Sequence, residues 1–88
     1  MKHAGAAALD DLEEVLVGVR RLVGPREKGR GTFYVRSSAF LHFHEDPAGP
    51  FADLKVDGAW RRMRVATKRE RAALLRAAAA ELRRSARG

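Results

Sequence analysis

From Leu9 onward, apolar residues recur at the spacing of one helix face: Leu9, Leu12, Leu16, Val19 and Val23, with Val15 and Leu22 widening the stripe. Asp10, Asp11, Glu13 and Glu14 crowd the start of this run, and Arg20 and Arg21 its end, the order that a helix macrodipole favours. Gly24-Pro25 stops it. The pattern predicts a helix over 9–23, after a mobile start at residues 1–8.

Beyond a polar, glycine-bearing loop at 26–31 the period shortens to two. Residues 32–36 and 39–44, rich in β-branched and aromatic side chains, read as strands joined at Ser37-Ser38. Residues 45–50, with two prolines and a glycine, read as a turn. Two more strands, 51–56 and 60–65, flank Asp57-Gly58, the residue pair best suited to the positive φ angles of a tight hairpin. Thr67-Lys68-Arg69-Glu70 has the form of a capping box, in which hydroxyl and carboxylate each satisfy an exposed backbone donor. A long helix is therefore expected to about Arg84, with 85–88 as a flexible end. The fold class that results is α+β, in the order α-β-β-β-β-α. It is a four-stranded antiparallel meander with the N- and C-terminal helices on one face, and residues 1–88 form a single domain.

The first hairpin leaves two registers open. An even-numbered loop groups Phe33, Val35, Phe40, His42 and His44 on one side, whereas an odd-numbered loop groups Phe33 and Val35 with Leu41 and Phe43. A slip of one residue inverts a strand's faces, so the side chains of the open face depend on this choice.

Composition narrows the functional classes. The 88 residues include no cysteine, which excludes a disulfide framework, a thiol nucleophile and a cysteine-ligated metal. No stretch is long and apolar enough to cross a bilayer, and the start of the chain lacks the apolar core of a signal peptide. A cytoplasmic protein without membrane association is the expectation. A chain this short has little material for a deep substrate cleft, so no enzyme activity, catalytic residue or cofactor is assigned. The net charge of +7 is unevenly placed: residues 1–59 carry eight basic and nine acidic side chains, and residues 60–88 carry ten and two. Such asymmetry points to an anionic partner, although abundant Ala and Arg also fit a GC-rich coding sequence.

Three features could carry chemistry. His42 and His44 lie two apart on a strand and so share a side, as ligands of one metal ion would, and Asp46 could add a carboxylate. Arg69, Arg76, Arg83 and Arg87 form a stripe on the last helix opposite its apolar face; Arg62 and Arg64 extend it, and Trp60 could stack on a base. Most of Phe33, Tyr34, Phe40, Phe43, Phe51 and Trp60 must be core, but strand alternation leaves some on the outer face, and an aromatic face without helices favours pairing of two copies.

Residues 26–35 and 39–46, with the phrase FLHFHEDPAG, resemble small bacterial proteins built as a helix plus a meander. More distantly, over residues 12–65, the element order is similar to the MmcQ/YjbR-like group. That resemblance implies a DNA-binding scaffold and assigns no functional residue. The sequence thus leads to a non-enzymatic accessory or interaction domain that homodimerises or binds a protein partner. A nucleic-acid-binding module, and a small-ligand or metal site at His42 and His44, are the alternatives.

Overall fold

In a computed structural model, which describes residues 1–87, the chain forms nine elements. They are β1 (Lys2–His3), α1 (Ala6–Asp11), α2 (Glu13–Arg20), β2 (Pro25–Glu27), β3 (Thr32–Val35), β4 (Ser38–Asp46), β5 (Gly49–Val56), β6 (Ala59–Arg64) and α3 (Lys68–Arg87). Five strands form an antiparallel meander in the order β2-β3-β4-β5-β6, and β1 pairs with β4. The α+β class and the helix-meander-helix order are as the sequence predicts. The sheet is wider than the expected four strands.

Both additional strands are short. β2 occupies part of the expected 26–31 loop and pairs Glu27 with Phe33. β1 uses the edge of β4 that β3 leaves free: β3 reaches His42, and β1 continues opposite His44 and Glu45. The Glu45 carboxylate accepts a 2.7 Å hydrogen bond from the Gly5 N–H at the entrance to α1. Residues expected as a mobile start are thus a paired strand and a helical turn. Of the expected flexible end, residues 85–87 continue α3, and Gly88 lies outside the described residues.

The first apolar stripe becomes two helices. Leu12 leaves helical geometry at ψ 3°, and its N–H points to the carbonyls of both Ala8 and Leu9 at 3.1 Å. Tightening of this kind turns the axis while keeping backbone groups bonded. The stripe also ends early: α2 stops at Arg20 and Val23 is 93% exposed, so Val23 is not part of the buried face. At the crossing of α2 and α3, a Cβ on Gly18 would meet Leu75 at 2.8 Å. A larger residue there would have to push the Leu75 side chain aside.

The capping box forms as read, with the Glu70 N–H donating to Thr67 Oγ1 at 3.1 Å and the Thr67 N–H to Glu70 Oε1 at 3.0 Å. Asp57 and Gly58, both at positive φ, make the two-residue turn between β5 and β6. The β4–β5 connection is narrower than expected. Asp46 pairs with Gly49, so only Pro47 and Ala48 are left in the turn.

The first hairpin settles by combining its two options. Its loop is Arg36-Ser37 with Val35 opposite Ser38, an even-numbered connection, but a β-bulge follows and Phe33 pairs with Leu41. The bulge breaks strict alternation, so adjacent Phe40 and Leu41 are both buried. Beyond it Phe33, Leu41, Phe43, Ala52 and Leu54 face one way, into a core closed by Leu12 and Leu16 from the N-terminal helices and by Leu74 and Ala78 of α3. His42 and His44 take the opposite face.

Candidate metal centre

The register of the central strands assembles the polar cluster. His42 lies directly opposite Asp53, Asp53 opposite Arg62, and His44 opposite His3. Directly paired residues in a sheet project to the same side. Four strands therefore deliver side chains to one spot on the face without helices.

Donor atoms of His3, His42 and His44 lie within 4.8 Å of one another. His42 Nδ1 and His44 Nε2 are 2.8 Å apart, and His44 Nε2 is 3.0 Å from Asp53 Oδ2. Arg62 grips the same carboxylate with two hydrogen bonds of 2.9 Å, from Nε to Oδ1 and from the terminal guanidinium nitrogen to Oδ2. The His42 ring leans against Trp60, with centroids 4.6 Å apart. His44 and Asp53 are only 8% and 7% exposed. His42 is half-buried and His3 is exposed, which leaves the cluster open toward solvent on the β1 side.

Proton bookkeeping limits what the cluster can be. A carboxylate can only accept, so the contact with Asp53 assigns the His44 proton to Nε2. That proton is also the only donor facing His42 Nδ1 across the 2.8 Å contact. Two acceptors, His42 Nδ1 and Asp53 Oδ2, thus compete for one N–H, in a space that a single metal ion could occupy instead. Ligand atoms around a tetrahedral zinc ion sit about 3.3 Å apart for bonds of 2.0–2.1 Å. The observed 2.8 and 3.0 Å separations need only a small opening to reach that spacing. His44 Nδ1 is buried without a hydrogen-bond partner, an arrangement native interiors rarely tolerate without compensation.

Electrostatics favour the ligand form of these groups. Burial, reinforced by neighbouring His44, pushes the His42 pKa below its ordinary value and keeps the imidazole neutral near pH 7. The Arg62 guanidinium holds the Asp53 carboxyl below the usual carboxylate range, so Asp53 stays ionised. Imidazole nitrogens beside an ionised carboxylate are a donor set for divalent zinc, copper or nickel. Asp53 lies against the same His44 nitrogen that faces His42, so with a metal ion there it would stand as a neighbouring oxygen donor and not as the acceptor of that nitrogen's proton.

The residues indicated by sequence divide. His42 and His44 meet, as their spacing predicts. Asp46 is not one of the three converging residues; its carboxylate accepts a 3.0 Å hydrogen bond from the Ala48 N–H and closes the β4–β5 turn. His3 has no local signal, because only pairing of β1 with β4 brings it in. Asp53 follows from the Asp46–Gly49 turn by counting residue pairs back along β4 to His42. Of the proposed nucleic-acid residues, Trp60, Arg62 and Arg64 lie on the open sheet face, with Arg62 engaged by Asp53. Arg69, Arg76, Arg83 and Arg87 are exposed on α3, which packs against the other face.

A separate cleft of about 280 Å³ opens between the Arg36-Ser37 turn, the Asp57-Gly58 turn and the C-terminal half of α3. None of the three histidines lines it. No helix among the described residues is long and apolar enough to cross a membrane. No family model, curated protein or solved structure matches the chain.

Proposed function

We propose that this protein is a small metal-binding domain that holds one divalent transition-metal ion with His3, His42 and His44. Asp53 adds a carboxylate oxygen 3.0 Å from the same His44 nitrogen, and Arg62 fixes Asp53. The convergence of three imidazoles from the two paired strands β1 and β4 carries this reading. The ionised Asp53 carboxylate, held by Arg62 beside the same cluster, supports it, since its negative charge complements a divalent cation.

This reading takes precedence over homodimerisation through an apolar sheet face. The open face presents imidazole, carboxylate and guanidinium groups, and Trp60 is its one large apolar side chain that is strongly exposed. The β6 edge bears Arg61, Arg62 and Arg64, and charged edges resist strand pairing with a second copy.

Zinc titration followed by calorimetry and histidine NMR tests the proposal. One ion per chain should bind with shifts at all three imidazoles, and His42→Ala or His3→Ala should each weaken binding at least tenfold. Histidine resonances unmoved by excess zinc would overturn it.

A further inference from the structure

Along the sequence the two halves differ in charge, and in the folded molecule the basic excess lies on two surfaces, α3 and the sheet face without helices. Arg26 lies opposite Tyr34 in the β2–β3 ladder, and Lys55, Arg62 and Arg64 project to the same side as Asp53 and Phe51. All four leave the strands on the side away from the helices, with Arg64 Nε also 3.9 Å from Glu70 Oε2 at the start of α3. Acidic residues of the first half go the other way: Asp10, Asp11, Glu13 and Glu14 sit on α1 and α2, and Glu27 turns to meet Arg20 of α2. Asp53 on the open face is already matched by Arg62, and Asp46 is tied into its turn. The open face is left cationic.

Aromatic rings accompany these charges. Lys28 lies 5.2 Å over the Tyr34 ring, Lys55 4.8 Å over Trp60, and Arg64 5.9 Å over Phe51. On three strands a flat π surface stands beside a positive group, and the Trp60 ring is 46% exposed. Single-stranded nucleic acid has the complementary repeat: a planar base with an open π face, then a phosphate. A duplex hides its base faces in the stack, so it cannot use the rings.

The α3 stripe lacks this pairing. Arg69, Arg76 and Arg83 are exposed, but alanines rather than rings lie between them. We infer that the open sheet face binds single-stranded nucleic acid, with bases stacking on Trp60, Phe51 and Tyr34 and phosphates meeting Lys28, Lys55 and Arg64. None of these six residues belongs to the three-histidine set, so binding does not require the metal, although Trp60 borders that set through its contact with His42.

Fluorescence anisotropy with labelled U20 and dT20 strands and a hairpin duplex, at low salt with a metal chelator present, tests the inference. Both single strands should bind more tightly than the duplex, and the affinity should fall log-linearly with salt as counterions are released. Trp60→Ala should weaken single-strand binding about tenfold, the scale of one lost base stack. Trp60→Phe should restore most of it, and the double variant Arg76→Ser/Arg83→Ser should stay within about twofold of the wild type. Circular dichroism on each variant verifies folding, and Arg64→Ser provides a second reading should Trp60→Ala unfold. Absence of binding at low salt would overturn the inference. So would equal binding of duplex and single strand, or a larger loss from the α3 double variant than from Trp60→Ala.

Discussion

On the helix side of the sheet, Leu41, Phe43, Ala52 and Leu54 are buried beneath α2 and α3. On the other side, their sequence neighbours His44 and Asp53 are nearly as inaccessible, although no helix among the described residues covers them. Apolar burial is non-directional and needs only close packing. Polar burial needs a specific partner for each donor and acceptor, and here His42, His44, Asp53 and Arg62 supply most of these to one another. One face therefore holds the fold by volume. The other holds chemically committed groups in fixed positions, and it leaves one nitrogen unmatched.

This contrast is tested most severely by truncating one ring on each face. Phe43 is fully buried, so Phe43→Ala should cost about 3–5 kcal/mol, much of the total stability of a domain this small. Trp60 is already about half in water, so Trp60→Ala should cost no more than about 2 kcal/mol. Urea denaturation of both variants provides the measurement. Equal losses would show that the open face is a second core and would remove the distinction.

Asp53 offers the next largest effect, with a pH signature. Asp53→Asn should cost about 1–3 kcal/mol at pH 7, the scale of a lost charge-assisted pair. Pairing with Arg62 lowers the Asp53 pKa on folding, so the unfolded state takes up the proton first as the solution is acidified. The stabilising contribution is full above about pH 5 and is lost progressively as pH falls through the unfolded value of 3.8 and then the lower folded value. Urea midpoints of wild type and variant should therefore converge in acid. A gap that persists unchanged at low pH would mean that Asp53 acts through shape rather than charge.

Features specified by a few adjacent residues were legible in the sequence: the Thr67–Glu70 capping box, the Asp57-Gly58 turn, and the shared side of His42 and His44. Features created by pairing were not. Strands of two and three residues carry no measurable period, so β1 and β2 form because β4 and β3 already offer unpaired edges. His3 enters the candidate site only through that recruitment. The bulge at Phe40 was hidden for a related reason: it satisfies two neighbouring apolar residues that strict alternation would send to opposite faces. Pro47 in the β4–β5 turn and Pro50 just beyond it made the turn look longer than it is. In fact Pro50 sits within β5, paired with Glu45.

The smallest predicted effect concerns the hairpin that decides which face each strand residue takes. Arg36 sits in its loop at φ 58°, where a Cβ normally costs about 1–2 kcal/mol. Glycine there removes that cost but gives back about 0.5–1 kcal/mol through its freer unfolded chain. Arg36→Gly should therefore stabilise the domain by up to about 1 kcal/mol, a rise in Tm of a few degrees by calorimetry. Asp57 is the natural control, since it also has positive φ, at 53°, but belongs to a residue type that tolerates it. Asp57→Gly should gain less. The Arg36 turn lies at the opposite end of β4 from His44, so the variant should gain stability on both faces together while zinc affinity stays unchanged. A change in affinity would show that the hairpin register and the histidine geometry are coupled along β4, and that the two faces are not separable.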